Sequence, residues 1–329
     1  MTIKKVFITG GTGFLGINLI DELLKTNQYE ITALHRKGSD LSHLKKRQLH
    51  LVEGSLLDPD QLATQIPDQT SYLFHVAANT NMWSLQNPVQ TRDNVEGTRN
   101  IVQAALKKNV CRFIHTSSIA AYGIYDGVKI DESQPSNAKD SWINYIKSKY
   151  LAEMEVQVGI ESGLDAVFLN PSNIMGPYDT HNWSTLIRLI VSKKLPAIPS
   201  GSGSFCHVRE VAKAHISAAT HGRTGERYLL GGTDASYQDL VNEVNKLTGN
   251  QFKPRTLPVT FMKLYGQISQ AISMISRKKP EVTPEMVHLT SSRMICSSDK
   301  AQKELGYQPV PLQNMVTDCY QWMQKEQYI

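Results

Sequence analysis

The sequence predicts an α/β fold: a doubly wound parallel sheet with a smaller, mixed lobe in the C-terminal half. Short apolar runs rich in Val, Ile, Leu and Phe alternate with longer segments of helical periodicity up to about residue 175. Such alternation indicates successive β-α-β units, whose crossover helices cover both faces of a parallel sheet. After Gly176 the alternation gives way to loop-like stretches, which favours a separate lobe over the sheet.

Composition narrows the class of protein. Of the 329 residues, 40% are hydrophobic and 20% are charged, as is usual for a globular protein with a sizeable core. The net charge of +5 is mild and the basic clusters are short, so no nucleic-acid partner is expected. The cysteines are far apart and the histidines lack ligand spacing, so neither a disulfide framework nor a metal site is expected. No apolar run is long enough for a membrane span or a signal peptide, and we expect a cytoplasmic protein.

The predicted elements follow in order along the chain. The strands are predicted at KKVFITG, EITALHR, LHLVEGS, SYLFHVAA, CRFIHTSS, DAVFLNPSNI and ERYLLGG. The helices are predicted at FLGINLIDELLKTN, DNVEGTRNIVQAALKKN, INYIKSKYLAEMEVQVGIESG, HVREVAKAHISAATHG and FMKLYGQISQAISMIS. The last helix has an apolar stripe made of Phe261, Leu264, Tyr265, Ile268, Ile272 and Ile275. We expect most of this stripe to pack in the core; the alternative is that it lines a hydrophobic substrate pocket with Met82 and Trp83.

The segment TGGTGFLG joins the first predicted strand to the first predicted helix. Its glycines allow a tight turn and the close approach of backbone to a pyrophosphate, which then faces the helix N-terminus. Because the segment follows a strand, opens a helix and begins a long βαβ series, it indicates a dinucleotide site in a Rossmann-type sheet. The cofactor-binding residues predicted here are Gly10, Thr12, Gly13, Phe14, Leu15 and Gly16.

The end of the second predicted strand indicates which dinucleotide binds. Sites for NAD usually place an acid there for the ribose hydroxyls. This chain has Arg36 and Lys37 instead, and two cations suit a 2′-phosphate. We therefore expect NADP(H), with NAD(H) as the alternative. We expect Ser55 and Leu56 to lie at the edge of the adenine ring. We assign an NADP-binding domain to 1–175, with 206–232 returning to it, and a substrate lobe to 176–205 and 233–329.

A second motif supplies acid–base chemistry. Tyr145 and Lys149 are four residues apart in a predicted helix and so share one face. A free tyrosine has a pKa near ~10, and a neighbouring ammonium lowers that pKa so that the pair can exchange a proton with a carbonyl or alcohol oxygen. Upstream, Ser117 and Ser118 end an apolar run at the carboxyl end of a predicted strand, where ligands bind in parallel sheets.

In this order the motifs are similar to those of the extended short-chain dehydrogenase/reductases of the epimerase/dehydratase branch. The resemblance covers nearly the whole chain, through TGGTGFLG, HVAA, DNVEGTRN, TSSIAAYG, the Tyr-Lys motif, NPSNIMGP, HVREVAKAH and KAQKELGYQP. It implies that Tyr145 is the acid–base, that Lys149 is its partner and holds the nicotinamide ribose, and that Ser118 orients the carbonyl. Arg36 matches the position that takes the 2′-phosphate in NADP-using members. Further cofactor contacts implied by these segments are Ala77, Ala78, Thr116, Pro171, Ser172 and Ile174.

Two departures from the family pattern narrow the chemistry. Dehydratases of the family carry an Asp-Glu pair after the catalytic hydroxyl, where this chain has Ile119 and Ala120, so we exclude dehydration. Nucleotide-sugar epimerases of the family carry an Arg-Asp pair whose arginine binds the diphosphate. This chain has Gly203 and Ser204 at those positions, so the sequence does not favour a nucleotide-sugar substrate.

The chain thus resembles the dihydroflavonol-reductase-like reductases and, nearly as closely, the hopanoid-associated epimerase-like proteins of bacteria. We predict an NADPH-dependent reductase that transfers a hydride to the ketone or aldehyde of a hydrophobic small molecule. The alternative enzyme is a sugar- or lipid-linked epimerase or a 3-hydroxysteroid-type dehydrogenase. The non-enzyme alternative is an NADP-binding redox sensor. Family members often form a homodimer through the helix of the Tyr-Lys motif, which this sequence neither shows nor excludes.

Overall fold

The computed structural model describes residues 3–329; residues 1 and 2, the start of the first predicted domain, lie outside it. The strands are β1 (Lys4–Thr9), β2 (Tyr29–His35), β3 (His50–Glu53), β4 (Thr70–His75), β5 (Arg112–Thr116), β6 (Lys129–Ile130), β7 (Ala166–Pro171), β8 (Asn173–Met175), β9 (Ala197–Ile198), β10 (Ser202–His207), β11 (Arg227–Leu230), β12 (Thr233–Ser236), β13 (Arg255–Thr256) and β14 (Arg293–Cys296). The helices are α1 (Phe14–Leu24), α2 (Pro59–Gln65), α3 (Asn87–Thr91), α4 (Gly97–Lys107), α5 (Asn144–Glu161), α6 (Trp183–Val191), α7 (Val208–His221), α8 (Tyr237–Thr248), α9 (Val259–Ser276), α10 (Pro284–Ser291), α11 (Asp299–Leu305) and α12 (Leu312–Lys325).

The main sheet confirms the predicted fold class. Its seven strands lie in the order β11-β7-β5-β4-β1-β2-β3, and every neighbouring pair is parallel. Side chains alternate across it: Ile8 packs with Leu19 and Val211 on one face, while Phe7 packs with Ile101 and Val156 on the other. Helices α1 and α7 therefore cover one face, and α2, α4 and α5 cover the other, which makes the sheet doubly wound.

The second sheet combines β6 and β8, which precede residue 176, with three strands from the later part of the chain. Strands β12, β10, β14 and β6 lie side by side in that order, and β8 also pairs with β10. Helices α6, α8 and α12 pack together on an apolar core that includes Ile187, Val241 and Met315. Between these parts the chain returns to the main sheet, because β11 pairs with β7. The predicted division into two domains stays a prediction.

Helix α9 differs from the sequence prediction. Its apolar stripe neither packs in the core nor lines a pocket, because all six of its members are exposed. The buried residues of this helix are Gly266 and Ser273. The helical period was correctly predicted, but the stripe lies on the outer face. No helix within residues 3–329 combines the length and the apolar character that crossing a membrane requires.

Candidate active site

The predicted site residues meet at one edge of the main sheet. The glycine loop follows β1, Arg36 follows β2, Ser55 follows β3 and Ala77 follows β4. Thr116 ends β5, with the serines directly after it, and Pro171 ends β7. Because all of these strands are parallel, their carboxyl ends share one edge, where ligands bind in open α/β sheets.

The glycine loop has the geometry of a phosphate cradle. A methyl group on Gly16 would lie 2.1 Å from the carbonyl oxygen of Gly10, and one on Gly10 would lie 2.6 Å from the amide nitrogen of Ala77. Glycine is therefore required for the turn and for its close contact with the end of β4. Helix α1 begins after Gly13 with no side-chain cap, so its first-turn amides are left to meet an anion. The donors and the space fit the pyrophosphate of a dinucleotide.

The residues predicted at the adenine end lie after two neighbouring strands, β2 and β3. Arg36 and Lys37 are exposed after β2 and form no ion pair within residues 3–329. Ser55 accepts a hydrogen bond at Oγ from the amide of Leu57 at 3.1 Å, which fixes the turn after β3. The carbonyl of Leu56 accepts from Nδ2 of Asn100 at 2.9 Å, which anchors that turn to α4. A 2′-phosphate would meet two free cations here.

The NPSNIMGP segment passes close to the glycine loop. Nδ2 of Asn18 in α1 donates to the carbonyl of Pro177 at 2.9 Å. Ser172 donates from Oγ to the carbonyl of Leu230 at 3.1 Å, and Ile174 pairs with Cys206 across β8 and β10. These contacts fix the backbone of this segment at the sheet edge, while its predicted contacts with a nicotinamide stay predictions.

Ser118 and Tyr145 face each other. Ser118 lies in extended backbone before a 3-10 turn, and its Oγ accepts from the amide of Ala120 at 3.1 Å. Burial raises the pKa of the Tyr145 phenol, and a hydrogen bond with Ser118 partly opposes that rise. The sequence predicted a lowered pKa for this tyrosine. That prediction was wrong in direction, because the protein interior disfavours the phenolate more than nearby groups stabilise it.

Lys149 is held by backbone at the end of β5. Its buried ammonium donates to the carbonyl of Thr116 at 2.8 Å. The Oγ1 of Thr116 lies 2.8 Å from Nε2 of His215, whose Nδ1 lies 2.8 Å from the carbonyl of Val211. A carbonyl only accepts, so Nδ1 carries the proton and Thr116 donates to Nε2. Thr116 is thus fixed at both its hydroxyl and its carbonyl, and it positions Lys149.

Glu153 is a buried member of the site that sequence reasoning missed. Its two carboxylate oxygens accept from Nδ2 of Asn170 at 2.6 Å and from Nε of Arg227 at 2.7 Å. Burial lowers the pKa of Lys149 to about 8, and the charge of Glu153 opposes this by raising it. The signal was in the sequence, because Tyr145, Lys149 and Glu153 follow one another at four-residue spacing on one helix face.

A second missed feature is the polar chain through Asn94. Asn94 lies in a π turn between α3 and α4, and its Nδ2 donates to Oγ of Ser148 at 3.0 Å. Ser148 in turn donates to the carbonyl of Tyr145 at 2.9 Å. A carbonyl of the same π turn accepts from Oγ1 of Thr98 at 2.6 Å, so Nε2 of His75 donates to that threonine at 3.0 Å. These bonds join β4 to the start of α5, the helix that carries Tyr145 and Lys149. Turns of the π type are common at functional sites.

The positions that departed from the family pattern carry no acid–base or anion-binding group. Ile119 and Ala120 are buried and apolar. Ser204 is buried and donates from Oγ to Asp234 at 2.5 Å. No cationic clamp for a diphosphate is present at this position.

The comparison with known proteins agrees with this geometry. Residues 6–231 match the NAD dependent epimerase/dehydratase family. The chain belongs to this family. A Synechocystis protein, named provisionally as a dihydroflavonol 4-reductase, is 32% identical over 98% of this chain and 95% of its own. Sterol demethylase protein B of Methylococcus capsulatus is 26% identical over 97% of this chain and 98% of its own.

A solved structure is similar over the same length. The crystal structure of gox2253 is 33% identical, covers 98% of both chains and superposes with a TM-score of 0.85. The protein is therefore an NAD(P)-dependent enzyme of the extended short-chain dehydrogenase/reductases, a family that acts on small molecules. Its relatives include proteins named as reductases and dehydrogenases.

Proposed function

We propose that this protein is an NADPH-dependent reductase that acts on the ketone or aldehyde of a hydrophobic small molecule. The observation that carries the proposal is the pairing of Ser118 with Tyr145, together with the buried ammonium of Lys149 one helical turn further along α5. Neighbouring Ile119 and Ala120 offer no further acid or base for eliminating water. The name of the Synechocystis relative, a 4-reductase, supports reduction of a carbonyl.

The chain's own residues handle the oxygen of the substrate. When bound, a reduced nicotinamide supplies the hydride to the carbonyl carbon. Tyr145 donates its phenol proton to the carbonyl oxygen, which becomes the alcohol, and Ser118 orients that oxygen. With its pKa raised by burial, the phenol of Tyr145 is protonated at neutral pH, so the proton to be donated is in place. Lys149, one helical turn from Tyr145 on α5, supplies a positive charge that favours the phenolate that remains.

The preference for NADPH rests on Arg36 and Lys37. Both cations are exposed after β2 and free of ion pairs within residues 3–329, and so are available to a 2′-phosphate. NAD(H) is the alternative cofactor. A homodimer through α5 is part of the same proposal, and the mass of the protein in solution tests it.

Loss of reduced-nicotinamide absorbance tests the reaction. The purified protein is mixed with NADPH, then with NADH, against aromatic, aliphatic and polycyclic ketones and aldehydes, and Tyr145→Phe is the control. We expect turnover with NADPH and a hydrophobic carbonyl, and its collapse in the variant with cofactor binding retained. Turnover that survives in Tyr145→Phe would contradict the mechanism.

A second function has a specific observation in its favour, because one of the relatives named as dehydrogenases is a sterol-4-alpha-carboxylate 3-dehydrogenase. A 3-hydroxysteroid-type dehydrogenase would oxidise a polycyclic alcohol with NADP⁺ or NAD⁺ through the same residues in reverse. If none of the ketones and aldehydes were reduced and a 3-hydroxysterol were oxidised, the dehydrogenase would replace the reductase as the proposed function.

A further inference from the structure

Helix α9 is amphipathic in the reverse of the usual sense. Its large apolar side chains face outward, with Phe261 at 66% exposure, Ile272 at 60% and Ile275 at 87%. Its inward side holds small residues, since Gly266 is buried and Ser273 is only 2% exposed. A surface helix normally buries its apolar stripe. This stripe is thus an apolar surface that the fold itself does not cover, and such surfaces mark interaction sites.

Specific contacts hold α9 in this orientation. Nε1 of Trp83 donates to Oγ of Ser273 at 2.6 Å, and Nε2 of Gln270 donates to Oγ of Ser84 at 3.0 Å. At Gly266 an added methyl would lie 3.3 Å from the backbone of Pro284, so glycine lets α9 pack closely on α10. The inner face is therefore polar and close-packed, and turning the helix over would break both hydrogen bonds.

The segment that carries this helix has charge of one sign, and the nearest acids that follow it are Glu281 and Glu285. Residues 250–280 contain six basic residues and no Asp or Glu: Lys253, Arg255, Lys263, Arg277, Lys278 and Lys279. The whole chain has 35 Lys and Arg against 30 Asp and Glu, so the rest of it has 29 against 30. The net positive charge of the protein thus lies in the segment that also exposes the apolar stripe.

We propose that the outer face of α9 docks on the surface of an anionic lipid bilayer. An apolar stripe that enters the acyl boundary, flanked by Lys and Arg that meet anionic headgroups, is the chemistry of an interfacial helix. A second copy of this chain fits less well. Two α9 faces brought together would juxtapose six cations from each copy, with no acid in residues 250–280 to neutralise them.

The docked helix would lie beside the catalytic centre. Leu289 of α10 packs on the same apolar cluster as Tyr145, and the ring of His288 lies 5.7 Å from that of Trp142. Helix α9 packs on α10, and its Ser273 is bonded to the loop that follows β4. Docking would therefore bring the substrate side of the enzyme to the lipid, from which a hydrophobic carbonyl compound can enter. The docking itself does not depend on the proposed reaction, whereas the entry of a carbonyl compound from the lipid rests on it.

Co-sedimentation with vesicles tests the docking. The full-length protein is mixed with phosphatidylcholine vesicles, either pure or with about one third phosphatidylglycerol. We expect binding to the anionic vesicles that weakens as salt is raised. Replacing Ile268 and Ile272 together by Gln should lower the partition coefficient tenfold or more, by roughly the transfer free energy of two buried side chains. Replacing Lys278 and Lys279 by Gln should weaken binding to anionic vesicles about fivefold per residue and leave binding to pure phosphatidylcholine unchanged.

The matched control replaces exposed apolar residues elsewhere. Val128→Gln combined with Leu247→Gln changes two side chains that are 49% and 37% exposed outside α9, and this variant should bind like wild type. Wild type that ignores anionic vesicles, or an Ile268/Ile272 variant that binds them equally well, would overturn the proposal. So would a wild-type dimer that this variant converts to monomer, because the face would then belong to a second copy. Vesicle binding needs no turnover, so its failure and that of the reductase proposal are distinguishable.

Discussion

Nδ2 of Asn170 donates to Oε1 of Glu153 at 2.6 Å, and the same amide donates to the carbonyl of Ser118 at 3.0 Å. One buried amide therefore joins Ser118 to a carboxylate on the helix that carries Tyr145 and Lys149. Because both partners of Asn170 are acceptors, its orientation is fixed. The distance between the serine loop and α5 depends on this bridge.

Replacing Glu153 by Gln should shift the pH dependence of kcat/KM and lower the stability of the fold. The charge of Glu153 raises the pKa of Lys149, which burial has lowered to about 8, so its removal lowers that pKa further. In the wild type we expect kcat/KM for carbonyl reduction to fall as pH rises through about 8, when Lys149 loses its proton. In Glu153→Gln this alkaline limb moves to lower pH. Removing one partner of a buried ion pair lowers the free energy of unfolding by roughly 3–5 kcal/mol. Because Arg227 is partly exposed, we expect a loss near the lower end of this range.

Glu155→Gln is the matched control for this variant. Glu155 lies on the same helix and pairs at 2.7 Å with Arg99, whose side chain is 48% exposed. Exposed pairs contribute about 1 kcal/mol or less, so stability and pH profile should stay near wild type. Coinciding profiles for Glu153→Gln and wild type would contradict the positioning role of Glu153.

Replacing Arg36 by Ala should impair the use of NADPH selectively. Arg36 is proposed to bind the 2′-phosphate, and a hydrogen bond to a charged group contributes about 1.5–3 kcal/mol. We expect kcat/KM for NADPH to fall about tenfold to a hundredfold, and that for NADH to stay the same. Steady-state kinetics with both cofactors measure this, with Lys46→Ala, at another exposed site, as the control. An equal loss with both cofactors would remove Arg36 from the 2′-phosphate site.

His75 should make the protein sensitive to acid. Burial lowers its pKa to about 3, so between pH 6.5 and that value only the unfolded chain takes up the proton. Each such group reduces the free energy of unfolding by about 1.4 kcal/mol per pH unit as pH falls. In His75→Gln, whose amide can accept from Thr9 and donate to Thr98, the loss between pH 7 and pH 5 should be smaller by about 2 kcal/mol.

Urea unfolding at pH 7, 6 and 5 measures that difference. His221→Gln is the control, because His221 lies exposed at the end of α7. Its pH dependence should follow wild type. If His75→Gln and wild type lost stability in parallel, another group would be responsible for the acid sensitivity.

The sequence predicted the features that depend on local pattern. The βαβ alternation predicted the parallel sheet, and the spacing of Gly10, Gly13 and Gly16 predicted a loop between β1 and α1. The position of Ser118 after an apolar run placed it at the carboxyl edge of the sheet, where the structure also has Tyr145.

The features that were missed depend on contacts between distant residues. Periodicity shows which residues of α9 share a face, but contacts with distant residues, such as the bond of Ser273 to Trp83 190 positions away, decide that the apolar face points outward. The pKa of Tyr145 was predicted from a neighbouring ammonium, whereas burial by the whole fold decides its direction. Glu153 reaches its partner Arg227 across 74 positions.

The return of β11 to the main sheet also governs how the chain folds during synthesis. Strand β11 covers the edge of β7, through the amides of Phe168 and Ser172 that donate to the carbonyls of Glu226 and Leu230. Until residue 230 has left the ribosome, that edge is open and Glu153 lacks its guanidinium partner. The main sheet is therefore incomplete until β11 has been synthesised, and a chain that ends before residue 227 exposes an unpaired strand edge.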